Sequence, residues 1–246
     1  IDKIRAGFRK AVDEEVKSTR MKTDLITNVS HDLKTPLTAI ITYVDLLKEP
    51  DLPRETQEKY IRILDQKANR LKLLIEDLFE ISKATSKTVQ LHIVDVDIVS
   101  LLRQVKLELQ DKIDATDLSF RWQFPEEKVI LPLDSQRTYR VFENLLVNIT
   151  KYAMPHTRVY INMEDTENHV KISMKNISAT ELTFNPSEIT ERFVRGDVSR
   201  NTEGSGLGLA IAKSFTELQG GRLEVFTDAD LFTVEITFLK TSRKTD

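Results

Sequence analysis

Cysteine is absent from this chain of 246 residues, and glycine and proline occur only seven times each. The lack of cysteine excludes a disulfide scaffold, a thiolate metal site and a cysteine nucleophile. Neither charge dominates, since 36 Lys and Arg stand against 39 Asp and Glu, so nothing favours a nucleic-acid partner. No apolar run approaches the roughly 18 residues that cross a bilayer, and the chain as it stands is expected to be soluble.

The N-terminal half carries two long helical patterns. Apolar residues recur at intervals of three and four from Leu25 to Leu47 and again from Ile61 to Leu78. Pro50 and Pro53 separate the patterns, which predicts a helical hairpin. Because one hairpin cannot cover both apolar seams, we expect a homodimer that closes a four-helix bundle.

Composition also predicts the domain limits. The Ser/Thr-rich segment after Lys83 breaks the helical period and marks the best boundary. We predict the following order: a helical connection from an upstream segment over 1–20, the hairpin domain over 21–84, a linker over 85–96, a second domain over 97–240 and a tail over 241–246.

Strand and helix patterns mix in the second domain. Asp97 and Asp134 are predicted to cap helices, and a further helix is predicted over 207–218. Strands are predicted over 118–124, 159–163, 170–174, 223–225 and 232–238. Together these patterns predict an α+β or α/β sandwich with helices over one face of a sheet, so the whole chain is expected to be a multidomain protein of α and α+β class.

His31 lies inside the first helical pattern, two residues from both Val29 and Leu33, and so opposite the apolar stripe. A solvent-facing imidazole can act as a nucleophile through Nε2 when a carboxylate polarises its Nδ1–H. Asp32 is the candidate for that carboxylate. The alternative is that both are ordinary solvated helix residues.

Three alternate glycines, Gly204, Gly206 and Gly208, stand at the start of a predicted helix. They let the backbone approach a ligand, and the free amides and positive dipole of a helix N-terminus favour an anion. Their spacing fits neither the P-loop nor the Rossmann fingerprint. A flexible loop before a helix is the alternative.

A polar helix face lies further upstream. Asn144, Asn148 and Lys151 fall on one side of the helix predicted after Asp134, with Tyr152 beside them. An amide oxygen can coordinate a hard cation and an ammonium can meet phosphate, so this face suits a magnesium-bound polyphosphate. A solvated helix face is the alternative.

Taken together, these segments resemble the sensor histidine kinases of bacterial two-component systems. Residues 28–37 resemble the phosphoacceptor motif, 144–152 the asparagine box, 191–197 the phenylalanine box and 204–208 the second glycine box. The motifs follow the family's order and cover nearly the whole chain. The resemblance implies a dimerisation and histidine-phosphotransfer domain followed by an ATP-binding domain of the Bergerat (GHKL) type.

For the hairpin domain, the resemblance implies that His31 is phosphorylated. Asp32 would be its acid–base partner, and Thr35 would position water when the domain dephosphorylates a response regulator. The receiver domain of that regulator would be the partner. A cytoplasmic fragment of a parent protein in the bacterial cell membrane is the implied setting, and any membrane contact would run through a segment missing from this chain.

For the second domain, the resemblance implies ATP and Mg²⁺ as ligands. Asn148 would bind the metal, Lys151 the phosphates, and the loop from Arg195 to Gly204 would be a lid. The implied nucleotide-binding residues are Asn144, Asn148, Lys151, Tyr152, Asn176, Arg195, Gly204, Gly206, Leu207 and Gly208.

One motif departs from the family. Where the family has Asp-x-Gly-x-Gly, this chain reads Asn-Ile-Ser-Ala-Thr over 176–180. The family's Asp accepts a hydrogen bond from the adenine amino group, and Asn176 can accept one without charge assistance. The missing glycines also predict a differently shaped entrance, filled by residues 183–186, and a lower affinity for ATP.

The expected activity is therefore autophosphorylation on His31, followed by phosphoryl transfer to an aspartate of a response regulator and phosphatase activity toward it. A degenerate kinase that acts as a phosphatase or a nucleotide-sensing scaffold is the second hypothesis. A Bergerat ATPase of the chaperone or topoisomerase kind is disfavoured, because those proteins lack a histidine hairpin ahead of the ATP domain.

Overall fold

The computed structural model describes residues 33–85, 90–182 and 207–240. The chain divides into two compact units between Phe79 and Glu80. The helical connection expected over 1–20 and the tail over 241–246 lie outside the described residues.

The first unit is helical. Its helices are α1 (33–46) and α2 (Arg54–Thr85). Pro50 and Pro53 lie in the break between them, because proline cannot donate a helical hydrogen bond and disfavours a helical residue before it. The rings of Tyr43 and Tyr60 lie 5.3 Å apart, so the helices pack together near the turn. The predicted helical hairpin is confirmed.

Much of the apolar surface of this hairpin is exposed. Leu74 is buried, whereas Ile61, Ala68 and Ile75 follow one another at heptad spacing on α2 and are all exposed. Ile61 is 55% exposed and Ile75 is 38% exposed. A single hairpin therefore leaves its own apolar seam uncovered.

The second unit combines helices with two sheets. Its helices are α3 (Ile98–Glu108), α4 (Gln110–Asp114), α5 (Ser135–Tyr152) and α6 (Gly208–Leu218). Its strands are β1 (Ile93–Asp97), β2 (Ser119–Gln123), β3 (Ile130–Asp134), β4 (Arg158–Asp165), β5 (His169–Ile177), β6 (Arg222–Asp228) and β7 (Leu231–Leu239). The larger sheet has the strand order β2-β4-β5-β7-β6.

The larger sheet buries one face. β2 is parallel to β4, and the other neighbouring strands are antiparallel. Val170, Ile172 and Met174 alternate along β5 and are buried, and Phe142 of α5 and Phe215 of α6 contribute the largest buried rings of the core. The predicted α/β sandwich and its five predicted strands are confirmed.

Two aspartates begin helices, as predicted. The Asp97 carboxylate accepts from the amide of Val99 at 3.2 Å and from Ser100 Oγ at 2.6 Å. The Asp134 carboxylate accepts from the amide of Arg137 at 3.1 Å. The bonds from Val99 N and Arg137 N satisfy amides that have no carbonyl partner within their helices.

The expected linker over 85–96 needs correction at both ends. Helix α2 includes Thr85, and β1 occupies Ile93–Asp97, where it pairs with β3 in a second, two-stranded antiparallel sheet. The pattern of apolar residues did not predict this sheet. Only Val96 of β1 is fully buried, and Pro132 interrupts the strand pattern of β3.

Candidate nucleotide-binding site

Helix α5 has an apolar face and a polar face. Its buried side chains are Thr138, Val141, Phe142, Leu145, Leu146 and Ile149. Asn144 and Asn148 are half-buried, Lys151 is exposed, and these three share the face that sequence spacing predicts. The helix thus packs one side into the core and carries two amides and an ammonium on another.

The side chain of Asn144 meets the start of α6. A Cβ added to Gly208 would stand 3.5 Å from Asn144 Oδ1. The Nδ2 of Asn144 is fully buried and, among the described residues, finds no hydrogen-bond partner. A buried donor without a partner is costly, so this amide is ready for an acceptor such as a phosphate oxygen.

The start of α6 adds amide donors. Leu207 is the N-cap residue and its side chain makes no capping bond, and the first intrahelical bond runs from Ile211 N to Leu207 O at 2.8 Å. The first amides of the helix have no carbonyl partner within it and carry the positive end of the helix dipole. Gly208 therefore places the positive end of a helix dipole against Asn144.

A partly buried polar network holds the other end of α6. Gln219 Oε1 accepts from the amide of Asp134 at 2.7 Å, and Gln219 Nε2 donates to Phe215 O at 2.8 Å. Thr138 Oγ1 lies 3.0 Å from the same Oε1. The network ties α6 to the first turn of α5. The sequence analysis missed Gln219, because a glutamine after a helix carries no local signal of its partners.

The end of β5 is bonded to the end of α5. Ala179 N donates to Tyr152 O at 2.9 Å, and Met154 N donates to Ile177 O at 2.8 Å. Asn176, the last inward-facing residue of β5, is 4% exposed, and its Nδ2 donates to Ile177 O at 3.2 Å. Tyr152 and Asn176 therefore lie in segments that the fold brings together.

Tyr139 on α5 has a strongly shifted pKa, and its hydrogen-bond partner Glu108 lies at the end of α3. Tyr139 donates to Glu108 Oε2 at 2.5 Å. Burial, followed by this bond, raises the pKa of Tyr139 well above its ordinary value, and the same bond lowers the pKa of Glu108. This pair links α5 to α3.

The described residues hold no cluster of three or more His, Asp or Glu side chains suited to a metal. A magnesium ion bound by one amide oxygen and by phosphate oxygens does not require one. Within the same ranges, no helix is long and apolar enough to cross a membrane.

Two family models match the chain. Residues 21–87 match the His Kinase A (phospho-acceptor) domain, and residues 133–242 match the Histidine kinase-, DNA gyrase B-, and HSP90-like ATPase. The chain belongs to the sensor histidine kinases. The two domains follow one another in the order expected of a protein-histidine kinase core.

Curated relatives of this histidine kinase chain are sensor proteins. It is 34% identical over 210 residues to the sensor protein VanSC of Enterococcus gallinarum, covering 83% of this chain and 57% of VanSC. It is 30% identical over 208 residues to the sensor histidine kinase YcbM of Bacillus subtilis, covering 82% and 66%. The chain thus spans about three fifths of the length of these relatives.

Solved structures share the kinase fold. The histidine kinase AdeS of Acinetobacter baumannii matches with a TM-score of 0.67 at 17% identity, over 85% of this chain and 97% of that one. The histidine kinase ThkA, in complex with the response regulator protein TrrA, matches with a TM-score of 0.72 at 22% identity, over 95% of this chain and 67% of that one.

The structure brings some of the implied kinase residues together, whereas others lie outside the described residues. It sets Asn144 beside Gly208 and brings the segments of Tyr152 and Asn176 together, while Thr35 is exposed on α1. The implied residues that lie outside the described ranges are His31, Asp32, Arg195, Gly204 and Gly206.

Proposed function

We propose that this chain transfers the γ-phosphoryl group of Mg-ATP to His31 and then passes it to an aspartate of a response regulator. The observation that carries the proposal is the side chain of Asn144, which lies against the glycine that begins α6 and whose buried Nδ2 has no hydrogen-bond partner among the described residues. A donor that the described part of the chain leaves without an acceptor, beside a helix N-terminus, fits a bound polyphosphate.

The residues around that contact supply what phosphoryl transfer needs, which is positioning and charge neutralisation. Asn144 Nδ2 and the first amides of α6 donate to phosphate oxygens. The Lys151 ammonium, on the same face of α5, balances their charge. Asn148 would hold Mg²⁺ through its amide oxygen, and the ion would neutralise phosphate charge.

The acceptor is the imidazole of His31. Its Nε2 lone pair forms the new bond to phosphorus while the bond to the β,γ-bridging oxygen breaks, and ADP leaves. Asp32 holds the proton on Nδ1, which keeps Nε2 free to attack. Because that proton stays on the ring, the phosphorylated imidazole suits onward transfer to a carboxylate.

We further propose that the chain dephosphorylates its response regulator, with the Thr35 hydroxyl positioning the attacking water. Thr35 is exposed on α1, one helical turn after His31 in sequence. The fold of this chain matches that of ThkA, whose structure was solved in complex with the response regulator protein TrrA, and this supports a partner of this kind. We also propose that the parent protein is anchored in the membrane with this core in the cytoplasm; the relatives named as sensor proteins are longer than the part that this chain matches.

A homodimer completes the proposal. The exposed heptad of Ile61, Ala68 and Ile75 on α2 offers an apolar seam to a second copy of the hairpin. Pairing two seams closes a four-helix bundle and removes that surface from water.

The test is to incubate the chain with Mg-ATP labelled at the γ-phosphate. We expect a protein-bound label that acid removes and alkali spares. His31→Gln should abolish this label, and His92→Gln, which changes an exposed histidine before β1, should keep it. A label that persists in His31→Gln would refute the assignment.

The degenerate-kinase hypothesis makes a different prediction for the same experiment. Asn176 favours it, because the residue lacks the charge of the family's aspartate. The chain would then bind Mg-ADP in calorimetry yet take up no label, while still releasing phosphate from a phosphorylated response regulator.

A further inference from the structure

Both ends of helix α6 contact helix α5, and the two contacts differ in kind. At the first end, Gly208 lies against the side chain of Asn144, where the phosphates are proposed to bind. At the second end, Gln219 follows the last residue of α6 and bonds to Asp134 and Thr138 at the start of α5. The two helices therefore run antiparallel. Since α6 has 11 residues, roughly 16 Å separate its ends.

The contact at Gln219 is directional. Its Oε1 accepts from Asp134 N at 2.7 Å, and its Nε2 donates to Phe215 O at 2.8 Å, one turn back on α6. Because a backbone amide only donates and a carbonyl only accepts, the side-chain amide can take only this orientation. At the same end, the Arg137 guanidinium of α5 lies 5.0 Å from the centroid of the Phe215 ring.

The residue that Gln219 holds is itself fixed. Asp134 is 6% exposed, and its carboxylate accepts from Arg137 N at 3.1 Å and from His92 N at 3.0 Å. These bonds join the first turn of α5 to the segment that precedes β1. Gln219 is thus anchored to a rigid point of the second unit.

The rest of α6 offers little that sets its position along its own axis. Its buried side chains are Leu209, Ala210, Ile211, Ala212, Phe215 and Thr216. The Thr216 hydroxyl donates to Ala212 O within the same helix. Apolar contacts are nondirectional, and a core that keeps its volume can repack. The axial position of α6 against α5 therefore depends on the hydrogen bonds of Gln219.

We propose, resting on the proposed function, that Gln219 is a positioning residue for phosphoryl transfer. Its bonds fix how far α6 extends along α5, and this sets the distance between the first amides of α6 and Asn144 Nδ2. Both groups are proposed donors to phosphate oxygens. Gln219 lies at the far end of α6 from these donors, so it acts through the helix. A shift of about 1 Å in such groups can cost about a hundredfold in rate.

The experiment uses Gln219→Met, which keeps the length of the side chain and removes both of its hydrogen bonds. Binding of Mg-ADP is measured by calorimetry and binding of adenosine, which has no phosphates, by NMR titration. We expect the affinity for Mg-ADP to fall by about tenfold and the affinity for adenosine to change by less than about twofold.

Two controls separate positioning from loss of stability. Gln123→Met makes the same chemical change at an exposed residue of β2 and should alter neither affinity. Ile113→Val removes a methyl group from a buried side chain of α4. It should lower the melting temperature while leaving both affinities unchanged below that temperature, because it contacts no part of the proposed phosphate site.

The outcomes distinguish this inference from the kinase assignment. Equal Mg-ADP affinities in the unchanged chain and in Gln219→Met would overturn the inference and leave the kinase proposal standing. An equal fall for Mg-ADP and adenosine would overturn it as well, since a general loosening of the site would then explain both. An unchanged chain that binds no Mg-ADP would refute both proposals.

A second variant serves if Gln219→Met does not fold. Gln219→Glu keeps the acceptor for Asp134 N and loses the donor to Phe215 O. It should lower the affinity for Mg-ADP by about threefold or more and spare the affinity for adenosine. An unaltered affinity for Mg-ADP in this variant would overturn the inference.

Discussion

Asn144 Oδ1 lies 3.5 Å from the position that a Cβ on Gly208 would take, so the side chain of Asn144 on α5 lies against the first residue of α6. The two residues are far apart in sequence, and each belongs to a motif that is ambiguous alone. Their contact makes a helix face and a helix start a candidate phosphate site, since Asn144 Nδ2 has no partner within the described ranges.

Replacing Asn144 should change the stability of the protein and its affinity for nucleotide in opposite directions. Asn144→Leu removes a buried amide that has no partner in the described part of the chain, so we expect unfolding to cost about 1 kcal/mol more. The same change deletes a donor to phosphate and should weaken Mg-ADP binding by about tenfold or more. Urea unfolding and calorimetry measure the two effects, with the exposed Asn168→Leu as control. A loss of stability without a change in affinity would contradict the assignment.

Two glycines near α6 should respond in opposite ways to the addition of a methyl group. A Cβ on Gly221 would fall 2.5 Å from Phe238 Cε1 and 2.9 Å from Thr216 Cγ2, which the packed core cannot absorb without movement. Gly221→Ala should therefore lower the free energy of unfolding by about 1–3 kcal/mol. At Gly208 the added atom would make only an ordinary contact, so Gly208→Ala should fold normally. Thermal unfolding of Gly221→Ala and Gly208→Ala tests this difference, and equal melting temperatures for the two variants would contradict the prediction.

Because of Asp97, the free energy of unfolding of the second unit should decrease at acidic pH. Burial acts to raise its pKa, but hydrogen bonds from Ser100, Val129 and Val99 outweigh it and hold the pKa below the ordinary value of 3.8. Because the folded pKa is the lower one, the stabilisation is present above pH 3.8 and is lost as pH falls through the folded pKa.

The matching variants are Asp97→Asn and Asp97→Ala. Asp97→Asn keeps a capping oxygen and should flatten the decline in stability below about pH 4, while Asp97→Ala should cost about 1 kcal/mol at neutral pH. Asp111→Asn, at an exposed position of α4, is the control. Urea unfolding from pH 3 to pH 7 gives the measurement, and an unchanged acid slope in Asp97→Asn would count against this account.

Dimer formation should depend on the exposed heptad of α2. Ala68→Glu places a charge between Ile61 and Ile75 and should shift the hairpin toward monomer, because a buried unpaired carboxylate is costly. Asn69→Glu adds the same charge at the next exposed position and should leave the dimer intact. Light scattering after gel filtration distinguishes them, and equal molar masses for both variants would disprove this interface.

Local patterns were enough to predict much of this fold. The intervals of three and four around Pro50 and Pro53 predicted the hairpin, alternation predicted the strands of the larger sheet, and Asp97 and Asp134 were recognisable as caps. These features depend on residues close together in the chain, whose periodicity and turn chemistry are written in sequence. The motif order likewise identified the family.

Only the tertiary structure decided which motifs meet. The pairing of β1 with β3, the bond from Asp134 to Gln219 and the contact of Asn144 with Gly208 all join segments that are distant in sequence. Each depends on how sheet and helices pack, since an interior filled to crystal-like density brings together side chains that share no local pattern. The sequence therefore determined the parts and their chemistry, while packing determined which donors and acceptors were left for a ligand.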